Sequence, residues 1–372
     1  MGTVEPLLLT PGPLTTSKIT RQAMQRDYGS RDNAFVAMTN RVRQRLVELV
    51  ANPEEYAAVL MQGSGTFAVE ATLTSFIPQD KKVLVLINGA YGKRIRTICQ
   101  MSQRTVVSLE TAEHLPPDLE ALDNALAKDK AISHVAAVFC ETTTGLLNPI
   151  QSIAEIVARH GRHLLIDAMS AFGALALHAD KVPFEAVMAS SNKCLEGVPG
   201  VGFVIARIDS LLAAKGRAAS LSLDLADQYQ RFQKDGQWRF TPPTHVIAAL
   251  DQALSLHRDE GGVPARGARY QDNCTTLVQG MAQMGFEPLL PSELQAPIIV
   301  TFHQPADPAY EFSTFYQALE ERGFAIYPGK LTELPTFRVG CIGHVFGDDI
   351  RRFLSVVKEV MAEMKIASGK PT

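Results

Sequence analysis

Between about residue 56 and residue 207 the chain alternates short apolar runs with longer amphipathic stretches. The runs predict strands at Ala57 to Gln62, Lys82 to Ile87, His134 to Cys140, His163 to Asp167, Phe184 to Ala189 and Gly202 to Arg207. They are rich in Val, Leu and Ile instead of alternating apolar with polar, as in a sheet covered on both faces. Helical periodicity fills the spaces between, for example over Phe67 to Phe76 and Ile150 to His160. Strand–helix alternation of this kind predicts an α/β fold with a mostly parallel central sheet, whose ligands bind at the carboxyl ends of the strands. Trp238-Arg239-Phe240-Thr241-Pro242-Pro243 breaks the rhythm, because paired prolines exclude a helix interior. A helix is expected over Thr244 to Asp259, and Glu260-Gly261-Gly262 marks a boundary. Helices at Val263 to Met284, Phe312 to Arg322 and Asp348 to Lys365, with strands at Pro297 to His303, Ala325 to Tyr327 and Thr336 to Val339, predict a smaller α/β unit beyond it.

Composition narrows the classes. At 372 residues, 46% hydrophobic and 20% charged, the chain reads as globular with two domains. A net charge of −3 gives no reason to expect nucleic acid or an anionic membrane as partner. No apolar run approaches the roughly 20 residues that span a bilayer, and Leu7-Leu8-Leu9 is too short for a signal-peptide core. A cytoplasmic protein is the expectation. The five cysteines are scattered without zinc-ligand spacing, and the histidines form no HExxH-like cluster, so no metal is expected.

The chemistry is carried by two acid–base residues 26 positions apart, a spacing that leaves room for a helix between their strands. Asp167 closes the run His163 to Asp167, and Lys193 follows the run Phe184 to Ala189 within Ser190-Ser191-Asn192-Lys193-Cys194-Leu195-Glu196-Gly197. An ammonium at the end of a buried strand is costly. Forming an imine removes that charge, which is what a pyridoxal phosphate enzyme requires. Asp167 is either a helix N-cap or the partner of a pyridinium nitrogen. Gln62-Gly63-Ser64-Gly65-Thr66 reads as a tight strand–helix turn or as a phosphate site at a helix N-terminus. Gly63, Gly65 and Ala68 also fit a dinucleotide fingerprint, but the next strand closes on Ile87-Asn88-Gly89 without the acidic residue that holds a ribose. Tyr91 is a half-buried tyrosine or a stacking partner for an aromatic cofactor. Glu141-Thr142-Thr143-Thr144 is a solvated turn or a rim of hydroxyls. Arg338 is a surface cation or a fork for a carboxylate or phosphonate.

These blocks, with Leu8-Leu9-Thr10-Pro11-Gly12-Pro13-Leu14-Thr15-Thr16, Asn88-Gly89-Ala90-Tyr91-Gly92, Tyr327-Pro328-Gly329-Lys330 and Phe337-Arg338-Val339-Gly340, resemble the class V branch of fold-type I pyridoxal phosphate aminotransferases almost end to end. The opening block and the Trp238 to Thr241 block are most similar to members that use 2-aminoethylphosphonate and pyruvate in phosphonate catabolism. The resemblance implies that Lys193 carries the cofactor and Asp167 pairs with its ring nitrogen. It implies further that Ser64, Gly65 and Thr66 hold the phosphate, Tyr91 stacks on the ring and Thr142 bonds near its phenolic oxygen. Thr241 would reach the cofactor of a neighbouring subunit, making the active unit a homodimer. Arg338, with Gly12 and Thr15, would bind substrate. The implied organisation is an N-terminal segment over 1–15, a large cofactor-binding domain over 16–259 and a small domain over 260–372. Phe139, Ala171 and Arg31 stand where relatives often carry His, Ser and Trp, and Arg31 bears on substrate choice. Alanine– or serine–glyoxylate aminotransfer is the neighbouring alternative, and a nicotinamide dehydrogenase a remote one.

Overall fold

The structure, a computed structural model, describes residues 5–329 and 334–371, so Lys330 lies outside it. Fourteen strands are described in chain order: β1 (Leu7–Leu8), β2 (Tyr56–Gln62), β3 (Lys82–Ile87), β4 (Thr105–Glu110), β5 (Ile132–Val138), β6 (Cys140–Glu141), β7 (Leu146–Leu147), β8 (His163–Asp167), β9 (Ala186–Ser190), β10 (Val201–Arg207), β11 (Ile299–His303), β12 (Phe324–Ala325), β13 (Tyr327–Pro328) and β14 (Thr336–Gly340). The helices that matter here are α1 (Gly65–Phe76), α2 (Ala90–Met101), α3 (Ile150–Arg159), α4 (Thr244–Glu260) and α5 (Gly262–Gln283).

Seven strands form the main sheet in the order β2-β10-β9-β8-β5-β3-β4. Strands β8, β5 and β3 pair in parallel, as do β8 with β9 and β3 with β4. Only β10 runs against its neighbours, pairing antiparallel with both β2 and β9. Its reversal follows from the loop before it. Ser191 donates its N–H to Val201, Glu196 to the Lys193 carbonyl, and Gly197 to Ser191, so the chain turns back on itself directly after β9. The apolar density of β5, β8, β9 and β10 is explained by burial on both faces.

One expectation is corrected. The segment between β8 and β9 holds no helix; residues 168–185 form consecutive turns. Ala168, Ala171, Phe172 and Ala174 are buried there, and Phe172 packs edge-on against Phe203 at 5.0 Å. A chain with its apolar side chains on all sides and a left-handed Gly173 (φ 88°) coils into the core, since it lacks the polar face of a surface helix.

A second sheet, β11-β14-β13, sits against α5 through β11, and the pair β1-β12 sits against the helix Phe312–Glu321 through β12. Two hydrophobic clusters result. One spans the main sheet; the other gathers Leu9, Leu277, Phe302, Phe324, Phe337, Val339 and Phe353. Leu9 therefore packs with residues that follow it by more than 260 positions. Among the described residues no helix is long and apolar enough to cross a membrane.

Candidate active site

The carboxyl ends of β2, β5, β8 and β9 converge on one cavity. It is lined by Ser64, Gly65, Thr66, Tyr91, Arg94, Cys140, Thr142, Asp167, Met169, Asn192 and Lys193, among others. Seven sequence-predicted site residues thus meet there.

Asp167 ends β8, opposite Met188 on β9, and is buried. Its Oδ1 accepts the Met169 N–H at 2.9 Å, and it forms no ion pair among the described residues. Burial pushes its carboxyl up to about 6, against the pull of that N–H and of Arg94 and Lys193. Lys193 stands in the turn after β9. Burial pushes its ammonium down to about 8, and the nearby Arg338 guanidinium adds to the effect. A buried amine that gives up its proton this readily is, once deprotonated, a nucleophile and a base.

Ser64 caps α1 in extended geometry (φ −77°, ψ 169°), and its hydroxyl makes no capping bond. The first N–H groups of α1 face the cavity as a ready anion site. Gly65 is required for close approach: a Cβ there would fall 2.2 Å from Met169 Sδ. Tyr91 opens α2, with the Arg94 guanidinium 4.9 Å from its ring centroid.

The Thr142 to Thr144 turn is buried, not solvated. Glu141 holds it: Oε1 accepts the Thr143 N–H at 3.0 Å and its hydroxyl at 2.6 Å, while Oε2 accepts the Tyr91 N–H at 3.2 Å. Burial raises the Glu141 carboxyl. Arg338, on β14, reaches this turn by donating to the Thr142 carbonyl.

Other expected residues lie elsewhere or play structural parts. The Thr15 hydroxyl accepts the Leu8 N–H at 2.8 Å and its carbonyl the His344 N–H at 2.7 Å. Thr241 lines a separate hollow with Gln62, Gly63, Phe67, Trp238 and Phe240 within one chain. Arg31 lies in a neighbouring hollow with Trp238 and Thr241, away from Lys193. Phe139 is buried and donates its N–H to the Asp167 carbonyl at 2.8 Å; Ala171 is fully buried.

Arg94 was not singled out from the sequence. It lines the cavity, its Nη1 lies 3.5 Å from Thr66 Oγ1, and it forms no ion pair among the described residues. Its spacing of three from Tyr91 places both on one face of α2, the only sequence signal that could have found it.

The residues fit pyridoxal phosphate on their own chemistry. Asp167 is a buried carboxylate without an ion pair among the described residues, Lys193 is a buried amine brought down to about 8, and Ser64 leaves its hydroxyl without a capping bond at the N-terminus of α1. The fold and the site define a class of enzyme, and the chain belongs to it: it is a class-V aminotransferase, matching that family over residues 18–344. It is 55% identical over 368 residues to the 2-aminoethylphosphonate–pyruvate transaminase of Pseudomonas aeruginosa, a match covering 98% of this chain and 99% of that protein. Its fold is that of ureidoglycine–glyoxylate aminotransferase from Bacillus subtilis (TM-score 0.89, 22% identity, covering 99% of this chain and 96% of that one). Pyridoxamine–pyruvate aminotransferase from Mesorhizobium loti is equally similar (TM-score 0.89, 23% identity, 98% and 94% covered).

Proposed function

We propose that this enzyme transfers the amino group of 2-aminoethylphosphonate to pyruvate, giving phosphonoacetaldehyde and L-alanine, with pyridoxal 5'-phosphate as cofactor. The observation that carries this reading is the convergence in one cavity of a Lys193 amine brought down to about 8 and a buried Asp167 without an ion pair among the described residues. The close relative's substrates make the phosphonate the favoured donor over alanine or serine.

When bound, the cofactor supplies an aldehyde for an amine and a ring that withdraws electrons. Lys193 holds it covalently; Ser64, Gly65 and Thr66 hold its phosphate; Tyr91 and Thr142 position its ring. Asp167 would pair with the ring nitrogen and keep it protonated, through the oxygen that does not accept the Met169 N–H. Lys193 Nζ, once released, would take a proton from the amine-bearing carbon of the substrate and return it to the cofactor carbon across the shared nitrogen. Arg338 binds the anionic end of either substrate, since a guanidinium accommodates phosphonate and carboxylate alike.

The reading extends to a cytoplasmic homodimer in which Thr241 of each subunit serves the other's cofactor. The exposed Phe67 and Phe240 around Thr241 support a contact there. It also divides the chain into the segment 1–15, a large domain over 16–259 and a small one over 260–372, a division supported by the two hydrophobic clusters.

The test is a coupled assay for alanine release from 2-aminoethylphosphonate and pyruvate, with Lys193→Ala as control. Wild-type protein should release alanine, and the variant should release none and fix no pyridoxyl group after borohydride. Turnover with serine or alanine and glyoxylate, but none with the phosphonate, would overturn the substrate assignment.

A further inference from the structure

The N-terminal arm touches the catalytic lysine directly. Lys193 Nζ donates to the Pro11 carbonyl at 2.5 Å, across 182 residues of sequence. Gly12 lies along the same side chain. A Cβ on Gly12 would fall 2.6 Å from Lys193 Cδ, 2.8 Å from Nζ and 2.9 Å from Cε, and its φ of +120° is one that side-chain-bearing residues rarely adopt.

The arm is held on its far side by the second sheet. Strand β1 pairs with β12, Leu9 donates its N–H to the Ala325 carbonyl at 2.9 Å, and Gly340 donates its own to Leu9 at 2.9 Å. A Cβ on Gly340 would meet the Thr10 backbone at 2.5 to 2.7 Å. Two glycines therefore fix the arm's position, one against Lys193 and one against the strand that carries Arg338.

We infer that the Pro11 carbonyl is the dock of the Lys193 amine whenever that amine is free, and that it orients the amine's lone pair for proton transfer. This rests on the aminotransferase reading above. A neutral amine has two N–H groups and one lone pair, and it rotates freely about its last carbon–nitrogen bond. Giving one N–H to a fixed carbonyl removes most of that rotation and limits the lone pair to directions inside the cavity. The carbonyl oxygen also favours the ammonium over the amine, so it holds the proton that Lys193 carries between removal and return. Gly12 and Pro11 act here as positioning residues; neither exchanges a proton itself. The dock is built by the second sheet and the lysine by the main one, so the distance between them reports how the two units sit.

Competitive acetylation with acetic anhydride, read at Lys193 by peptide mass mapping across pH 6 to 10, measures the amine in the full-length protein. It is run with the amine form of the cofactor bound and again after cofactor removal. Gly12→Ala, which displaces the side chain from Pro11, should lower the midpoint of Lys193 labelling by about half a unit to one unit. It should also cut kcat about 10-fold, because the amine that moves the proton is displaced. Gly340→Ala displaces the Thr10 backbone beside Pro11 without entering the cavity. The 2.5 Å contact has no room to shorten, so the carbonyl must leave its place and the midpoint should fall here too, which keeps the test alive if Gly12→Ala does not fold. A merely structural role lowers the melting temperature and leaves the labelling midpoint in place; that result in a folded variant overturns the dock. The two readings fail separately, since wild-type protein that makes no alanine sinks the aminotransferase assignment while an unshifted midpoint in active variants sinks only the dock.

Discussion

The Arg338 guanidinium donates through Nη1 to the Thr142 carbonyl at 2.9 Å and through Nε to the Pro328 carbonyl at 3.1 Å. One side chain thus ties the second sheet to the buried turn beside the cavity. Burial lowers its pKa from the usual arginine value, yet Tyr91, Tyr327 and Glu141 favour its charge. Among the described residues these two carbonyls are its hydrogen-bond acceptors, and its other N–H groups would serve an anion. Arg338→Ala should lower kcat/KM by about 10²-fold for both substrates, mainly through KM. Arg338→Lys should recover little, because an ammonium cannot serve both carbonyls and an anion in one plane. Steady-state kinetics check this, and an unchanged KM for pyruvate would remove the assigned role.

Asp167 is predicted to work against stability before the cofactor arrives. Its folded pKa is about 6, above the ordinary carboxylate value of 3.8. A raised carboxyl binds its proton more tightly in the folded state. The cost of ionising it is absent well below pH 4, grows between pH 4 and 6, and is complete above 6. Cofactor-free Asp167→Asn should therefore be more stable than wild type by about 2–3 kcal/mol at pH 7.5, with the gap closing as pH falls through 6. Its turnover should fall by at least about 10²-fold, since the ring loses its counter-charge. Urea unfolding at several pH values measures the first effect; equal stability at pH 7.5 would contradict it.

At the amino-terminal ends of the central strands β5, β8 and β9, opposite the cavity, Glu185 sits between two histidines. His134 Nε2 is 2.9 Å from one carboxylate oxygen and His163 Nδ1 is 3.7 Å from the other. Burial alone would raise this carboxyl, but His134 and His163 outweigh it and hold it below the ordinary range. A depressed carboxyl contributes stability above its unfolded pKa and loses it as pH falls through the lower folded value. Glu185→Gln should cost about 1–3 kcal/mol at pH 7 and less in acid, with kcat unchanged at 25 °C. Chemical denaturation at pH 7 and pH 4 reads the difference; a constant penalty at both would refute the charge argument.

In the proposed homodimer each Thr241 serves the other subunit's site. Thr241→Ala should weaken cofactor binding about 10-fold, the value of one hydroxyl–phosphate hydrogen bond. A hybrid with a Lys193→Ala chain then has one competent site, which draws its lysine from the first chain and its threonine from the second. That site should bind cofactor with wild-type affinity, measured by absorbance titration. Weakened binding in the hybrid would place Thr241 in the site of its own chain.

The central strands and the Asp167–Lys193 pair were legible because burial writes itself as apolar density, and a charge ending such a run stands out. Strand β4 was missed. Thr105 to Glu110 lies at the sheet's edge, half-exposed and paired only with β3, so its composition is mixed. The reversal of β10 was also invisible, because direction is set by the hydrogen bonds of the Lys193 turn and not by the strand's residues. Gly12 read as part of a rigid turn; its contact with Lys193 needs tertiary structure, as does the docking of Leu9 beside Phe324.

The pairing of Leu7 with Phe324 and Leu8 with Ala325 has a consequence for biosynthesis. Translation delivers the first of these partners more than three hundred residues before the second. The growing chain must therefore carry Leu7 and Leu8 without their strand partner through most of its synthesis, and the lysine's carbonyl neighbour takes its place only after Ala325 has emerged.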